Sequence, residues 1–549
     1  MKKLLLGLAL LCLAGAASAQ APVSVSVTVD LAKKLGPYKP IYAWFGYDEA
    51  NFTTMTNGRK LLRELAALSP APVHVRTHFL LSSGDGVAAL KWSSTNVYSE
   101  DADGKPVYDF HIIDGIFDEY RDAGVTPMFE LGFMPKALAS GSGAYEDHYP
   151  ESSTGGATHS PPKDLAKWQE MIRAVTAHMV QRYGRANVAK WYFEVWNEPD
   201  IGYWHGTPEQ YFDLYDHAVA GVRAALPEAK VGGPATTGPG AARAAKFFDD
   251  FLAHVAAKKS PLDFISFHAK GQPRIQGGQV VMGVGKELND VDKGFAIVAK
   301  YPQFKKLPII LSEADPEGCA ACSMKVNPAN AYRNGTLYPA YTAAAYKRLF
   351  ELADAHGVNL FSMLSWAFEF ENKDYFEGFR SLATNGIDKP VLNIFRMLGL
   401  MDGDRVATSS TGQVPLDSVI ARGMGDASDI DAMATGKQHE AAVLAWNYHE
   451  FDEAAAATPV TIAVTALPVT VHRVLVTHYR IDDSHSNAYT LWQQMGSPQG
   501  PTATQYEALK SRDGLELLSS PVWMRADQGR LAIGTVMPRN SVSLLQLKW

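Results

Sequence analysis

Cysteine is almost absent from this chain of 549 residues: three in all, Cys12, Cys319 and Cys322. A zinc site would need two further ligands beside Cys319-Ala-Ala-Cys322, and no matching Cys-x-x-Cys or His-x-His stands near it. A long basic run is also lacking, and the formal net charge is −7. Both points argue against nucleic acid or an acidic membrane surface as a partner. No apolar stretch is long enough to span a bilayer. No Gly-x-Gly-x-x-Gly follows the first strand candidate, which disfavours a dinucleotide-binding open sheet. Internal repeats and low-complexity linkers are missing too, so the parts of the chain are expected to pack closely.

What is present begins with an export signal. Lys2 and Lys3 form a basic region, Leu4 to Leu13 an apolar one, and Ala17-Ser18-Ala19 a small-x-small cleavage site. Residues 1–19 are therefore expected to be removed, Cys12 with them, leaving an exported protein in a periplasm or outside the cell. There Cys319 and Cys322 read as a short-loop disulfide in preference to free thiols. Hydrophobic residues make up 46% and charged residues 20%, as in a globular protein. The length points to one large barrel with an accessory unit, or to two to four domains. Tryptophan (11) and tyrosine (23) suit a carbohydrate binder, and suit a large core equally.

Apolar, β-prone runs at Ile41–Phe45, Val73–His78, Thr126–Leu131, Trp191–Val195, Lys230–Gly233, Phe264–His268, Ile309–Ser312 and Leu360–Trp366 read as strands. Amphipathic helical stretches separate them: Gly58–Leu68, Asp109–Ala123, Pro162–Tyr183, Pro208–Leu226, Ala241–Lys258, Val284–Lys300 and Tyr338–His356. Eight strands alternating with helices predict a parallel (β/α)8 barrel over residues 37–400. Beyond it, over 401–549, helical periodicity gives way to short β-like runs. These predict an accessory antiparallel β-sandwich, which residues 20–36 would join through the alternating segment Val23–Val29.

Two of the strands deliver a glutamate and then meet a proline. Trp191-Tyr-Phe-Glu-Val-Trp-Asn-Glu-Pro-Asp200 places Glu198 at one strand end, and Leu307-Pro-Ile-Ile-Leu-Ser-Glu-Ala-Asp-Pro316 places Glu313 at another. Poor solvation favours the protonated carboxyl that a general acid needs. Two carboxylates at the C-terminal mouth of one barrel meet the requirement of glycoside hydrolysis. Either glutamate alone would read as a solvated turn residue; the pair, with Asn197 and the prolines, does not.

Other polar groups end strands at the same mouth. Arg76 either holds Glu313 ionised or forms a structural ion pair. His78 shares its strand end. Asn197 is placed for a sugar 2-OH or caps the turn that follows it. His268 either binds a hydroxyl or positions the nucleophile. Lys270 neutralises a substrate carboxylate or pairs with a protein acid such as Asp315 or Glu371. Trp366 floors the innermost sugar site or packs in the barrel. Glu130, Glu369 and Glu371 are further candidates for hydroxyl contacts. No cofactor or metal is needed for this chemistry.

These residues resemble glycoside hydrolase family 39 from about Val73 to Val391. Trp-Asn-Glu-Pro at 196–199 looks like that family's acid/base motif, and Glu313 like its nucleophile. The likeness implies a retaining exo-glycosidase of the β-xylosidase or α-L-iduronidase type. The family's β-xylosidases often carry a tyrosine two residues after the strand-six histidine, where this chain has Lys270 in Ser-Phe-His-Ala-Lys-Gly. Around the nucleophile, Ser-Glu-Ala-Asp-Pro replaces the more usual Thr-Glu-Trp. At both places the chain looks more like α-L-iduronidase, in which the lysine meets the sugar carboxylate. Val75-Arg-Thr-His78 has the same flavour, and Phe376-Glu-Gly-Phe-Arg380 lies between the two patterns. The leading expectation is a β-xylosidase acting on xylo-oligosaccharides. The alternatives are an α-L-iduronidase-like uronidase and, in another class, a catalytically silent carbohydrate-binding protein.

Overall fold

In a computed structural model, residues 24–141, 144–145, 151, 157–317, 321–453 and 455–549 are described. The segment expected to be an export signal, residues 1–19, and Cys319 lie outside them. Eight parallel strands run in sequence order around a barrel: Trp44–Tyr47, His74–Thr77, Thr126–Leu131, Tyr192–Val195, Lys230–Thr236, Phe264–Lys270, Pro308–Asp315 and Asn359–Trp366. The eighth is broken at Leu364. Asn359–Met363 pairs with the seventh strand and Ser365–Trp366 with the first, so the break is where the ring closes. Helices at 56–66, 111–123, 165–183, 208–225, 242–258, 284–299, 337–356 and 390–399 form the outer layer.

Local chemistry sets the helix ends. Asp164 accepts from the backbone N–H of Ala166 and Lys167 at the start of Leu165–Tyr183. Thr207 and Gln210 form a reciprocal capping box before Pro208. The eighth helix, Pro390–Gly399, is absent from the sequence reading; it is the shortest of the eight and is buried along most of its length.

The second unit is a nine-stranded sheet folded over its own core, with Val27, Val29, Ile462 and Val464 facing Val443, Leu545 and Val476. Val25–Pro37 lies in this sheet between Asp404–Ser410 and Thr458–Thr465. One expectation needs correction: the pairing with Thr458–Thr465 is parallel, so the sandwich is mixed. A strand arriving from the distant N-terminus is not tied by a hairpin and can lie in either direction.

The barrel and sandwich share apolar packing. Leu444, Trp446, Tyr448 and Leu544 of the sandwich belong to the same buried cluster as the barrel helices. At the seam, Arg348 donates to both carboxylate oxygens of Asp429 at 3.0 and 2.8 Å, and Trp446 Nε1 donates to the same acid at 2.8 Å. Among the described residues, no helix is long and apolar enough to cross a membrane.

Candidate functional site

The C-terminal mouth of the barrel gathers the strand-end residues into one charged network. Side-chain alternation points Glu130 and Glu194 into the barrel from neighbouring strands, and register places them side by side. Two buried like charges in that position repel. Arg76, on the second strand, answers both: its Nε lies 2.5 Å from Glu194 and its Nη2 3.2 Å from Glu130. The same guanidinium donates to Glu313 Oε1 at 3.1 Å and to Asn197 Oδ1 at 2.9 Å. Its side chain has no exposed surface, so all these contacts are internal.

His78 is equally enclosed. Its Nδ1 meets Asp48 at 2.5 Å, and its Nε2 lies 3.0 Å from Glu130 and 3.3 Å from Glu313. Burial pushes the imidazole toward neutrality, but Glu130 and Asp48 outweigh it and lift the pKa to about 10. The ring thus faces a carboxylate at each nitrogen. It sits 2.8 Å from Arg76 Nη1, with the oxygens of Glu130 and Glu313 shared between the two.

Register also builds the other side. His268 on the sixth strand pairs with Glu313 on the seventh, and Lys270 with Asp315. His268 Nδ1 lies 2.9 Å from Glu198, and its Nε2 3.9 Å from Glu313. Ligand-capable atoms of Glu198, His268 and Glu313 all lie within 4.8 Å of one another. Lys270 Nζ reaches Glu313 Oε2 at 3.1 Å, Asp315 at 2.9 Å and Glu317 at 2.7 Å. Both oxygens of Glu313 thus face cations. Burial pushes its carboxyl pKa up, but His268, Lys270 and His78 together hold it well below the usual carboxylate range.

Glu198 is the more open of the two acids, 17% exposed against 7% for Glu313. Its strand stops at Val195, earlier than Pro199 alone would require, because Trp196 turns into the left-handed region (φ 70°) and Glu198 follows (φ 45°). Such conformations are costly for non-glycine residues and persist only where the surroundings fix them. Here Trp196 Nε1 donates to the Tyr203 carbonyl at 2.7 Å and Glu198 N–H to the Ala235 carbonyl at 2.9 Å. Asp200 ties the turn down through Thr237 N–H and Oγ1, at 2.8 and 2.5 Å. The seventh strand instead runs on to Asp315 before Pro316, which places Glu313 inside its last residues.

The Trp366 ring lies tilted against His78 (centroids 4.4 Å apart) and near Arg76 (5.1 Å), and its backbone N–H donates to Asp315 Oδ2 at 3.1 Å. Gly46 makes this seat possible: a Cβ there would lie 2.6 Å from Trp366 Cε3 and 2.9 Å from the Arg76 carbonyl.

Three candidates already have protein partners. Glu130 is consumed by Arg76 and His78. Glu369 is fully buried and accepts the Gly386 N–H at 2.6 Å, and Glu371 accepts the Asn57 N–H at 2.7 Å. Cys322 is disulfide-bonded.

Several network members escaped the sequence reading. Asp48, Glu49 and Lys91 lie in loops, with Lys91 Nζ 2.9 Å from Asp48. Arg380 meets Asp48, and reaches Glu49 and Glu317 at 3.1 Å each. Glu194 carried a usable signal, a charge inside an apolar strand on the same alternating face as Trp196.

With this geometry in place, comparison with known proteins is specific. Residues 74–517 match the family model for glycosyl hydrolases family 39. A β-xylosidase of Geobacillus stearothermophilus is 27% identical over 498 residues, covering 86% of each chain. The α-L-iduronidase of Mus musculus is 24% identical over 567 residues, covering 95% of this chain and 80% of its own. The crystal structure of a monomeric β-xylosidase from Caulobacter crescentus shares the fold, with a TM-score of 0.73 at 22% identity over 95% of this chain and 99% of that one. The chain belongs to glycosyl hydrolases family 39 and is a glycoside hydrolase.

Proposed function

We propose that this chain is a retaining exo-glycosidase of β-xylosidase type, exported by the signal at residues 1–19 and trimming xylo-oligosaccharides. The observation that carries the mechanism is the closeness of Glu198 and Glu313, whose oxygens approach within 4.8 Å. Retaining enzymes set their carboxyl groups about 5–5.5 Å apart, whereas inverting ones leave about 6.5–9.5 Å for a water.

Glu313, kept ionised by its cations, attacks the anomeric carbon as the glycosidic C–O bond breaks. Glu198 gives its proton to the departing oxygen. The glycosyl ester on Glu313 is then hydrolysed. Glu198, now a carboxylate, takes a proton from water, the water oxygen bonds to the anomeric carbon, and Glu313 is released. His268 contacts Glu198 and approaches Glu313, so it positions both acids. Arg76 takes Asn197 Oδ1, which leaves the amide N–H as the donor to a sugar 2-OH. Arg76 and His78 are positioning residues in this scheme, and Trp366 supplies the aromatic floor.

The xylosidase relatives support a neutral pentose. One observation favours a second reading, action on a uronoside: Lys270 lies 3.1 Å from the proposed nucleophile.

The test is proton NMR of the first product anomer released from an aryl β-D-xyloside, with Glu198→Ala and Glu313→Ala as controls. Retention of the β-anomer and loss of turnover in both variants are expected. An inverted product, or full turnover in Glu313→Ala, would sink the scheme. Rates on the matched α-L-iduronide decide between the two substrate readings.

A further inference from the structure

Lys270 meets the candidate nucleophile and Arg380 stands on the far side of Glu317, and both cations already have acidic partners. Glu317 lies between them, 2.7 Å from Lys270 Nζ through Oε2 and 3.1 Å from Arg380 Nη1 through Oε1. Each carboxylate oxygen thus holds one cation, the two-point arrangement with which a bound carboxylate would be recognised. Glu317 stands just past the seventh strand, beyond Pro316, and its side chain is 9% exposed. Burial pushes its carboxyl pKa up, but Lys270 and Arg380 hold it below the usual carboxylate range.

The chemistry of the sugar says what this seat would otherwise take. A β-D-xyloside carrying a carboxylate at C5 is a β-D-glucuronide in one orientation and an α-L-iduronide in the other. Atoms C2 and C5 lie on opposite flanks of the anomeric carbon. Asn197, proposed for the 2-OH, is tied through Arg76 to Oε1 of Glu313, while Lys270 meets Oε2. Lys270 therefore stands on the C5 side.

We infer that Glu317 is a specificity-determining residue: its carboxylate fills the seat between Lys270 and Arg380 that a substrate C5 carboxylate would occupy, so the site selects sugars lacking that group. The inference rests on the glycosidase reading above for the placement of the ring. A uronoside entering the site meets a carboxylate where it needs a cation, and the two repel. A xyloside has only hydrogen at C5 and leaves the ion pairs intact.

The experiment compares the full-length parent with Glu317→Gln and Glu317→Asp. The first variant removes the charge at nearly constant volume; the second keeps it on a shorter arm. Lys270 retains Asp315, and Arg380 retains Asp48 and Glu49, so both cations stay compensated. Circular dichroism checks folding. Two quantities are read: kcat/KM on aryl β-D-xyloside, β-D-glucuronide and α-L-iduronide, and calorimetric affinity for D-glucuronate against D-xylose at low salt.

In Glu317→Gln the preference for glucuronate over xylose should rise about tenfold or more, the scale of one charge-assisted hydrogen bond. Glu317→Asp should stay near the parent. A folded Glu317→Gln protein with an unchanged binding preference overturns the inference, as does a parent that already prefers glucuronate. Failure of the xylosidase reading shows up separately, as a parent with no xyloside turnover, and the binding comparison still decides the role of Glu317.

Discussion

Replacing Lys270 with methionine tests whether the charge network is held together as its geometry implies. The side-chain stem is kept and only the ammonium is lost. That ammonium stands 2.7 to 3.1 Å from carboxylates of Glu317, Asp315 and Glu313. One such contact at an effective dielectric constant near 20 amounts to about 5 kcal/mol of attraction. Desolvation of the ammonium and repulsion among the three acids remove much of that. Deleting one partner of a buried pair costs about 3–5 kcal/mol, and the 17% exposure of Lys270 sets the expectation at about 3 kcal/mol. The pH dependence follows from the acids. Glu313 and Glu317 have pKa values below the ordinary carboxylate value in the folded protein. Their stabilisation is present above that ordinary value and is lost as pH falls through the folded one. Without Lys270 both pKa values rise, and Asp315, already raised by burial, rises further. The variant should therefore suffer most at pH 8 and recover toward pH 4.5, as the buried carboxyls take up protons. Thermal unfolding of parent and variant by circular dichroism at both pH values measures this. A deficit below about 1 kcal/mol at pH 8, or an equal deficit at both pH values, would refute the reasoning.

Gly46→Ala should push Trp366 off its seat, because the new Cβ would sit 2.6 Å from the indole and 2.9 Å from the unyielding Arg76 carbonyl. Overpacking of this kind costs about 1–3 kcal/mol, and steady-state kinetics should show the larger change in KM. Asp200→Ala frees the turn that carries Glu198 and should lower kcat more than it raises KM, with about 1–2 kcal/mol of stability lost. A lowered melting point with kcat intact would make Asp200 purely structural. Arg348→Met leaves Asp429 buried at the seam without its bidentate partner, at a cost of about 3–5 kcal/mol. Calorimetry should show the loss, while activity per folded molecule at 25 °C stays at the parent level.

The barrel was legible in the sequence because its strands are buried on both faces, which makes them read as apolar runs between amphipathic helices. The third strand, Thr126–Leu131, falls at its predicted ends. Ends controlled by polar side chains were harder: Phe264–Lys270 outruns its apolar run by two residues, because Lys270 finds acids across the register. The fourth strand ends at Val195 as its apolar run implies, but the left-handed turns at Trp196 and Glu198 beyond it are fixed by contacts to Tyr203 and Ala235, which local sequence does not announce. The parallel entry of Val25–Pro37 into the sandwich was hidden for a related reason, since alternation says which face is buried and nothing about direction.

The site divides along the same line. Glu198, Glu313 and Asn197 are announced by their own neighbours in sequence, an apolar strand and a proline. Asp48, Lys91, Glu317 and Arg380 have no such local mark, and their meaning lies in each other across loops far apart in the chain. Lys270 shows why that matters. As a lone strand-end cation it invites a substrate carboxylate; with Asp315 and Glu317 in contact it is already compensated. A cation's type and position fix where it stands, but its remaining capacity for a ligand is set by the charges around it. If Glu317 selects as proposed, substrate class depends on the Lys270, Glu317 and Arg380 group together, and changing the acid should alter selectivity more cleanly than changing either cation.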